Sequence, residues 1–143
     1  MKAIGKSTWE GTWKEGTGTI STKSAILTNA PVSYSSRFEG APGASPEELL
    51  AAAHAACFNQ ALANIAGQNN LKTESINTEV EVELGFEEST GHPEIKGLHF
   101  NVQSSIPNAT EEQFQDFAQR ASVSCTISKI IKVKGTVTAT LIK

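Results

Sequence analysis

Between Ile76 and Phe86 the side chains alternate strictly, with Ile76, Thr78, Val80, Val82, Leu84 and Phe86 on one face and Glu79, Glu81 and Glu83 on the other. A period of two is the signature of a half-buried antiparallel strand, with the three glutamates in solvent. Leu98, Phe100, Val102, Ser104 and Ile106 repeat the pattern after a loop at Glu88 to Pro93, so the two runs predict a hairpin with one apolar face that must be covered. Two helices can cover it. In Ser45-Pro46-Glu47-Glu48, Ser45 caps, Pro46 suits the first helical position and Glu48 completes a capping box, which starts a helix running through Ala51 to about Ala66. Thr110 and Gln113 form a second capping box, followed by Phe114, Phe117, Ala118 and Ala121 at helical spacing in the core.

Ser122 to Ser124 breaks that helix, and Ile127, Ile130 and Ile131 predict one or two further turns up to Val133, with Cys125 at their N-terminus. Gly135 ends them, and Val137, Ala139 and Leu141 alternate with threonines in a final strand. Residues 3 to 40 are rich in Gly, Thr and Ser, with apolar patches at Trp9 and Trp13, Ile20, Ala25 to Leu27 and Val32 to Phe38. They read as short strands joined by turns at Gly16 to Gly18 and Asn29 to Pro31. Strands first, then mixed helices and strands, give an α+β fold. At 143 residues with 38% hydrophobic content, one domain over 1–143 is expected.

Twelve basic and fifteen acidic residues leave a formal charge of −3 and no dense Lys/Arg stripe, so nucleic acid is not an expected partner. The stretch Met1 to Gly11 is polar and carries no secretory signal, and no run approaches the roughly 20 apolar residues of a membrane span, which points to the cytoplasm and away from a membrane. In that reducing compartment two cysteines are more often buried, catalytic or redox-active than permanently crosslinked.

The thiolate is the working form of cysteine. Cys125, at its expected helix start, has exposed backbone N–H groups to favour an anion, whereas Cys57 lies about eleven residues inside its helix, beyond the reach of the dipole. Local sequence therefore favours Cys125 as nucleophile. Leu50, His54, Cys57 and Ala61 fall on one helical stripe, within about 60° of one another. His54 reads as a core histidine bonded to a carbonyl and Cys57 as a small apolar residue. Two sharper alternatives are a metal site from His54, Cys57, Cys125 and either His92 or His99, and a Cys–His nucleophile for hydrolysis. No C-x-x-C spacing supports the first, and no third orienting group supports the second.

Taken together, Arg37-Phe38-Glu39-Gly40, Ser45-Pro46-Glu47-Glu48-Leu49-Leu50, Ala53-His54-Ala55-Ala56-Cys57-Phe58 and the later Cys125-Thr126-Ile127-Ser128-Lys129 resemble the OsmC/Ohr family, and within it the OsmC (osmotically inducible protein) branch. The match covers nearly the whole chain, and Trp9-Glu10-Gly11 and the hairpin near residue 90 fit the same layout. The resemblance implies an OsmC/Ohr-like α+β fold in an intertwined homodimer, and a peroxidase of the oxidative and osmotic stress response that reduces organic hydroperoxides to alcohols. By position it makes Cys57 the peroxidatic thiol, Cys125 the resolving thiol, and Arg37 and Glu47 the residues that orient and activate the thiol, which reverses the local choice of nucleophile. A Cys57–Cys125 disulfide would be reset by an external dithiol, with lipoylated proteins the candidate, and no metal, haem or flavin takes part. Thr126 stands where the family commonly has proline, and it restores an N–H that could bond the Cys125 sulfur.

Glu47 and Cys57 are ten residues apart, about 15 Å along one continuous helix. If both serve one site, either the helix breaks or a second chain delivers Glu47. Five alanines between Ala51 and Ala56 would let another backbone approach closely. Phe58 and Phe38, if near Cys57, would favour alkyl peroxides by burying the tail at about 25 cal/mol per Å². The main competing function is a non-catalytic binder of hydrophobic ligands on the same fold.

Overall fold

Three short strands, β1 (Gly5–Glu10), β2 (Thr17–Thr22) and β3 (Ala30–Ser33), pair antiparallel in that order. The β1–β2 turn closes tightly because Gly11 adopts φ +92 and a Cβ there would lie 2.9 Å from the Gly16 Cα. Asn29, at φ 51, closes the connection from β2 into β3, but Ala30 and Pro31, expected in that turn, already pair as strand. The apolar run from Val32 to Phe38 does not continue as strand. Ser33 and Ser36 cap each other reciprocally, Ser36 N–H to Ser33 Oγ at 3.0 Å and Ser33 N–H to Ser36 Oγ at 2.9 Å, and a one-turn helix α1 (Tyr34–Phe38) results. Local side-chain bonding to the backbone here overrides the β tendency of the apolar residues. The described residues are 1–133 and 135–143 of this computed structural model, and they divide into two units, 1–49 and 50–143.

Helix α2 (Pro46–Gln68) begins at the end of the first unit and supplies one layer of the second. It buries His54, Phe58, Leu62, Ile65 and Ala66, a stripe rotated away from the expected one, since Leu50, Cys57 and Ala61 stay half-buried. By length and composition α2 is apolar enough to cross a membrane, which corrects the expectation that no stretch comes near that threshold. A core helix passes the same test, and α2 packs Phe58, Leu62, Ile65 and Ala66 into the core cluster.

The predicted hairpin is present as β4 (Ser75–Phe86) and β5 (Pro93–Ser105), antiparallel in register from Ser75↔Ser105 to Phe86↔Pro93. A shift at Glu83/Leu84 breaks the alternation, so Phe86 is 49% exposed instead of facing the core. Helix α3 (Glu111–Ser124) carries the chain across to β6 (Gly135–Leu141), which lies parallel to β5 and makes β5 the central strand. The Thr110/Gln113 capping box starts α3, and Phe114, Phe117, Ala118 and Ala121 are buried, all as predicted.

Three expectations near the C-terminus fail. Helix α3 continues through Ser124, and residues 126–130 form turns, not a helix, so Cys125 sits at a helix end. Thr126, Ile127, Ile130 and Ile131 are β-branched and weak helix formers, and among the described residues the segment is held by the backbone bonds Lys129 N–H to Cys125 O and Ile130 N–H to Ile127 O. Gly135 does not terminate a helix. It opens β6 where a Cβ would lie 2.8 Å from the Phe100 ring, so glycine is what lets β6 pass close to that residue.

Phe100 is 1% exposed, with its ring 5.2 Å from that of Phe58 and 4.7 Å from that of His54. Phe100→Ala is expected to lower unfolding free energy by about 3–5 kcal/mol in urea titration. Val123→Ala, at a residue 64% exposed, should change it by less than about 0.5 kcal/mol, and equal losses would contradict this placement of the core.

Candidate active site

Two polar constellations, one within each unit, hold the residues singled out in the sequence. In the first unit, Arg37 at the end of α1 meets Glu47 at the start of α2. Arg37 Nε donates to both carboxylate oxygens at 3.1 and 3.0 Å, and Nη2 donates to Oε1 at 2.5 Å. Ser45 Oγ adds a bond to Oε2 at 3.0 Å, so the Ser45 hydroxyl is shared between Glu47 and the Glu48 N–H. Burial pushes the Glu47 carboxyl up. The Arg37 bonds, its own backbone N–H, Ser45 and the Arg37 charge outweigh burial and hold it below the ordinary carboxylate value.

Beside Arg37 lies an aromatic pocket of about 260 Å³ lined by Trp9, Trp13, Tyr34 and Phe38. Trp13 and Tyr34 meet edge-on at 5.1 Å, and the Arg37 guanidinium sits 4.9 Å from the Phe38 ring centre. Phe38 thus lines an apolar cavity of the first unit, one that Cys57, the residue it was expected to stand beside, does not line. Phe58 is instead fully buried in the core of the second unit.

The second unit gathers the two thiols. Cys57 on α2 is half-buried and Cys125 is 2% exposed, both unbridged, and the Cys57 side chain is near enough to act on the Cys125 thiol. Sixty-eight positions of sequence separate them, so tertiary packing, not local chain geometry, brings them together. Ser128 supports Cys125 twice, with its hydroxyl 3.1 Å from Sγ and its N–H at 3.4 Å. Burial raises the Cys125 thiol, but the Ser128 hydroxyl and N–H, Cys57 and the Ile127 N–H together bring it below its ordinary value.

The expected anion device is therefore present without the expected helix. With Cys125 extended at φ −62, ψ 145 and its sulfur accepting the N–H three residues on, Cys125 has the geometry of an N-cap, but the chain beyond it forms one irregular turn. The donors are the N–H groups of residues 127 and 128; Thr126, whose N–H was the sequence-based candidate, is not among them.

His54 is 1% exposed and bonds the Ser128 hydroxyl through Nε2 at 2.7 Å, not a carbonyl. Ser128 was visible in the sequence only as the last residue of a C-x-x-S spacing, and nothing local distinguishes that from a surface turn. The metal alternative does not assemble, since no three His, Cys, Asp or Glu side chains cluster to hold an ion among the described residues. His99 instead bonds Thr136 and Thr138 on the sheet surface.

Residues 38–140 match the model of the OsmC-like protein family, and the chain belongs to that family. It is 35% identical to Peroxiredoxin OsmC of Escherichia coli over 137 residues, covering 92% of this chain and 91% of that protein. It is 32% identical to the organic hydroperoxide resistance protein OhrB of Bacillus subtilis over 112 residues, covering 78% and 79%. The crystal structure of that OhrB superposes with a TM-score of 0.72 at 27% identity over 97% of this chain and 98% of that one. The α+β class and the OsmC/Ohr-like fold expected from the sequence are thus established, and the names of the relatives support a peroxidase-type role.

The Arg37–Glu47 pair generates a pH prediction. A carboxyl held below its unfolded value contributes stability that is present above the unfolded pKa, about 4.5, and is lost as pH falls through the folded one. Wild type should therefore exceed Glu47→Gln in melting temperature at pH 7, and the gap should narrow as the pH falls below about 4.5. A gap that stays constant from pH 7 to pH 3 would contradict the pairing.

Proposed function

We propose that the chain is a cysteine-based peroxidase that reduces organic hydroperoxides to alcohols, with Cys57 as peroxidatic and Cys125 as resolving thiol. The observation that carries this is the meeting of two free thiols so far apart in sequence, with Cys57 near enough to act on the Cys125 thiol, in a member of a family whose relatives are named for peroxide chemistry. The Cys57 thiolate attacks the distal peroxide oxygen, an S–O bond forms as the O–O bond breaks, and the alkoxide leaves as alcohol. Cys125 then displaces hydroxide from the sulfenic acid, giving a disulfide and water, and two-step exchange with an external dithiol returns both thiols. Lipoylated proteins fit the dithiol role. No step calls for a cofactor.

Arg37 and Glu47 take the polar roles implied by the family pattern. A guanidinium fixed by a bidentate carboxylate can stabilise charge on the parting peroxide oxygens, and the aromatic pocket beside Arg37 fits an alkyl or aryl tail. Helix α2 is unbroken from Pro46 to Gln68, so Glu47 and the Cys57 of its own chain stay ten positions apart on it. This favours delivery of the Arg37–Glu47 pair from a second copy. A homodimer is also favoured by what a single chain leaves uncovered: all six residues of β1, the alanines 52, 53 and 56 of α2, and Trp13 at 53% exposure. The protein then acts as one OsmC-like domain, 1–143, in the cytoplasm.

With cumene hydroperoxide and dithiothreitol, wild type should consume reductant while Cys57→Ser falls to background, and Arg37→Ala should lose about a hundredfold in kcat/KM. Arg37→Lys should not restore it, because a point charge cannot keep the forked pairing with Glu47. Reductant consumption by wild type no faster than background would favour a non-catalytic ligand binder of this fold, and full activity in Cys57→Ser would overturn Cys57 as the peroxidatic thiol.

A further inference from the structure

Resting on that reading, we propose that Ser128 and His54 form a proton relay for the resolving step, taking the proton of Cys125 as its sulfur attacks the oxidised Cys57. The relay is continuous in the structure, with Cys125 Sγ 3.1 Å from Ser128 Oγ and Ser128 Oγ 2.7 Å from His54 Nε2. Its two ends are buried, with His54 and Cys125 1% and 2% exposed, so the half-buried Ser128 is the group that connects this sulfur to a base.

His54 is suited to accept and return a proton. The groups that face it are the Phe100 ring edge-on and the Ser128 hydroxyl, and beyond Ser128 the two thiols. Charge from a neighbouring side chain does not shift it: burial alone lowers it from its ordinary value, which keeps the ring neutral at rest. Its Nδ1 is buried with no partner. A neutral ring can place its proton on either nitrogen, and Nδ1 goes unsatisfied in both tautomers, so the choice is left to the Ser128 bond and hence to the state of Cys125.

In the reduced enzyme the Cys125 S–H donates to Ser128 Oγ, and the Ser128 O–H donates to Nε2. During attack the Cys125 proton passes to Ser128 as the Ser128 proton passes to Nε2. The Cys125 electron pair forms the S–S bond, and the Cys57 S–O bond breaks. The departing hydroxide leaves as water by regaining that proton through Ser128, which restores neutral His54. Sulfur at Cys125 is oxidised, the sulfenic acid supplies the oxidant, and no further reactant is needed. Ser128 touches the reacting sulfur. His54 acts through it and is a positioning residue.

The test uses Ser128, which is half-buried in a turn and can lose its hydroxyl without opening the core. After one equivalent of cumene hydroperoxide, rapid quench and intact mass follow the gain of one oxygen and then the loss of two hydrogens. Ser128→Ala should form the sulfenic acid at the wild-type rate but close the disulfide at least tenfold more slowly, with a closure rate that climbs with pH between 6 and 8 where wild type is nearly flat. Ser128→Thr should restore rate and profile. Wild-type closure in Ser128→Ala, or failure of Ser128→Thr to rescue, overturns the relay.

A second arm does not depend on peroxide. In Cys57→Ser, the ¹⁵N ring signals of His54 should move with the midpoint at which Cys125 thiolate absorbance appears near 240 nm, and Ser128→Ala should uncouple the two. Independent midpoints with Ser128 present overturn the relay. Absence of any oxidised species in wild type would instead sink the peroxidase reading, leaving this titration to decide the relay.

Discussion

The arrangement around Cys125 depends on one hydroxyl. Ser128 is the residue through which a buried sulfur and a buried imidazole meet, and each would otherwise be a desolvated polar group with one partner fewer. Leaving a buried donor or acceptor unsatisfied costs about 1–3 kcal/mol, more than a net hydrogen bond contributes, so such a group holds its neighbours in place mainly by what its loss would cost. The price of the arrangement remains visible at His54 Nδ1, the orphaned side-chain atom of the core among the described residues. Cores rarely tolerate such atoms without a use for them.

The fold was legible where side-chain period and capping agreed. The hairpin, α3 and the long helix α2 follow from alternation and from Ser/Pro/Glu and Thr/Gln caps that stand in plain view in the sequence. The misses share a cause. Ser33 and Ser36 turned an apolar run into a helix, β-branched isoleucines kept 126–130 from becoming one, and the close pass of β6 over Phe100 made Gly135 a strand residue. In each case a side chain bonding or clashing with backbone decided the outcome, and hydrophobic period carries no record of that.

The site was legible in its members and not in its wiring. Both cysteines, Arg37 and Glu47 stood out by residue type and by resemblance; Arg37 and Glu47 do pair, and Cys57 is near enough to act on the Cys125 thiol. What the sequence could not disclose is that the Cys125 anion device is made of two turn N–H groups and a hydroxyl, or that His54 reaches that hydroxyl across 74 positions. Long-range contacts of this kind arise from the packing of α2 on the sheet and have no local signature.

The central claim is that two sulfurs held in one unit of one chain form a single redox pair. Peptide mapping under non-reducing conditions, after one equivalent of organic hydroperoxide and trapping of residual thiols in denaturant, tests it directly. The account predicts one linked species joining the peptides that contain Cys57 and Cys125, recovered from the monomer band. Recovery of both cysteines as alkylated thiols, or of crosslinks only in a covalent dimer, would contradict it.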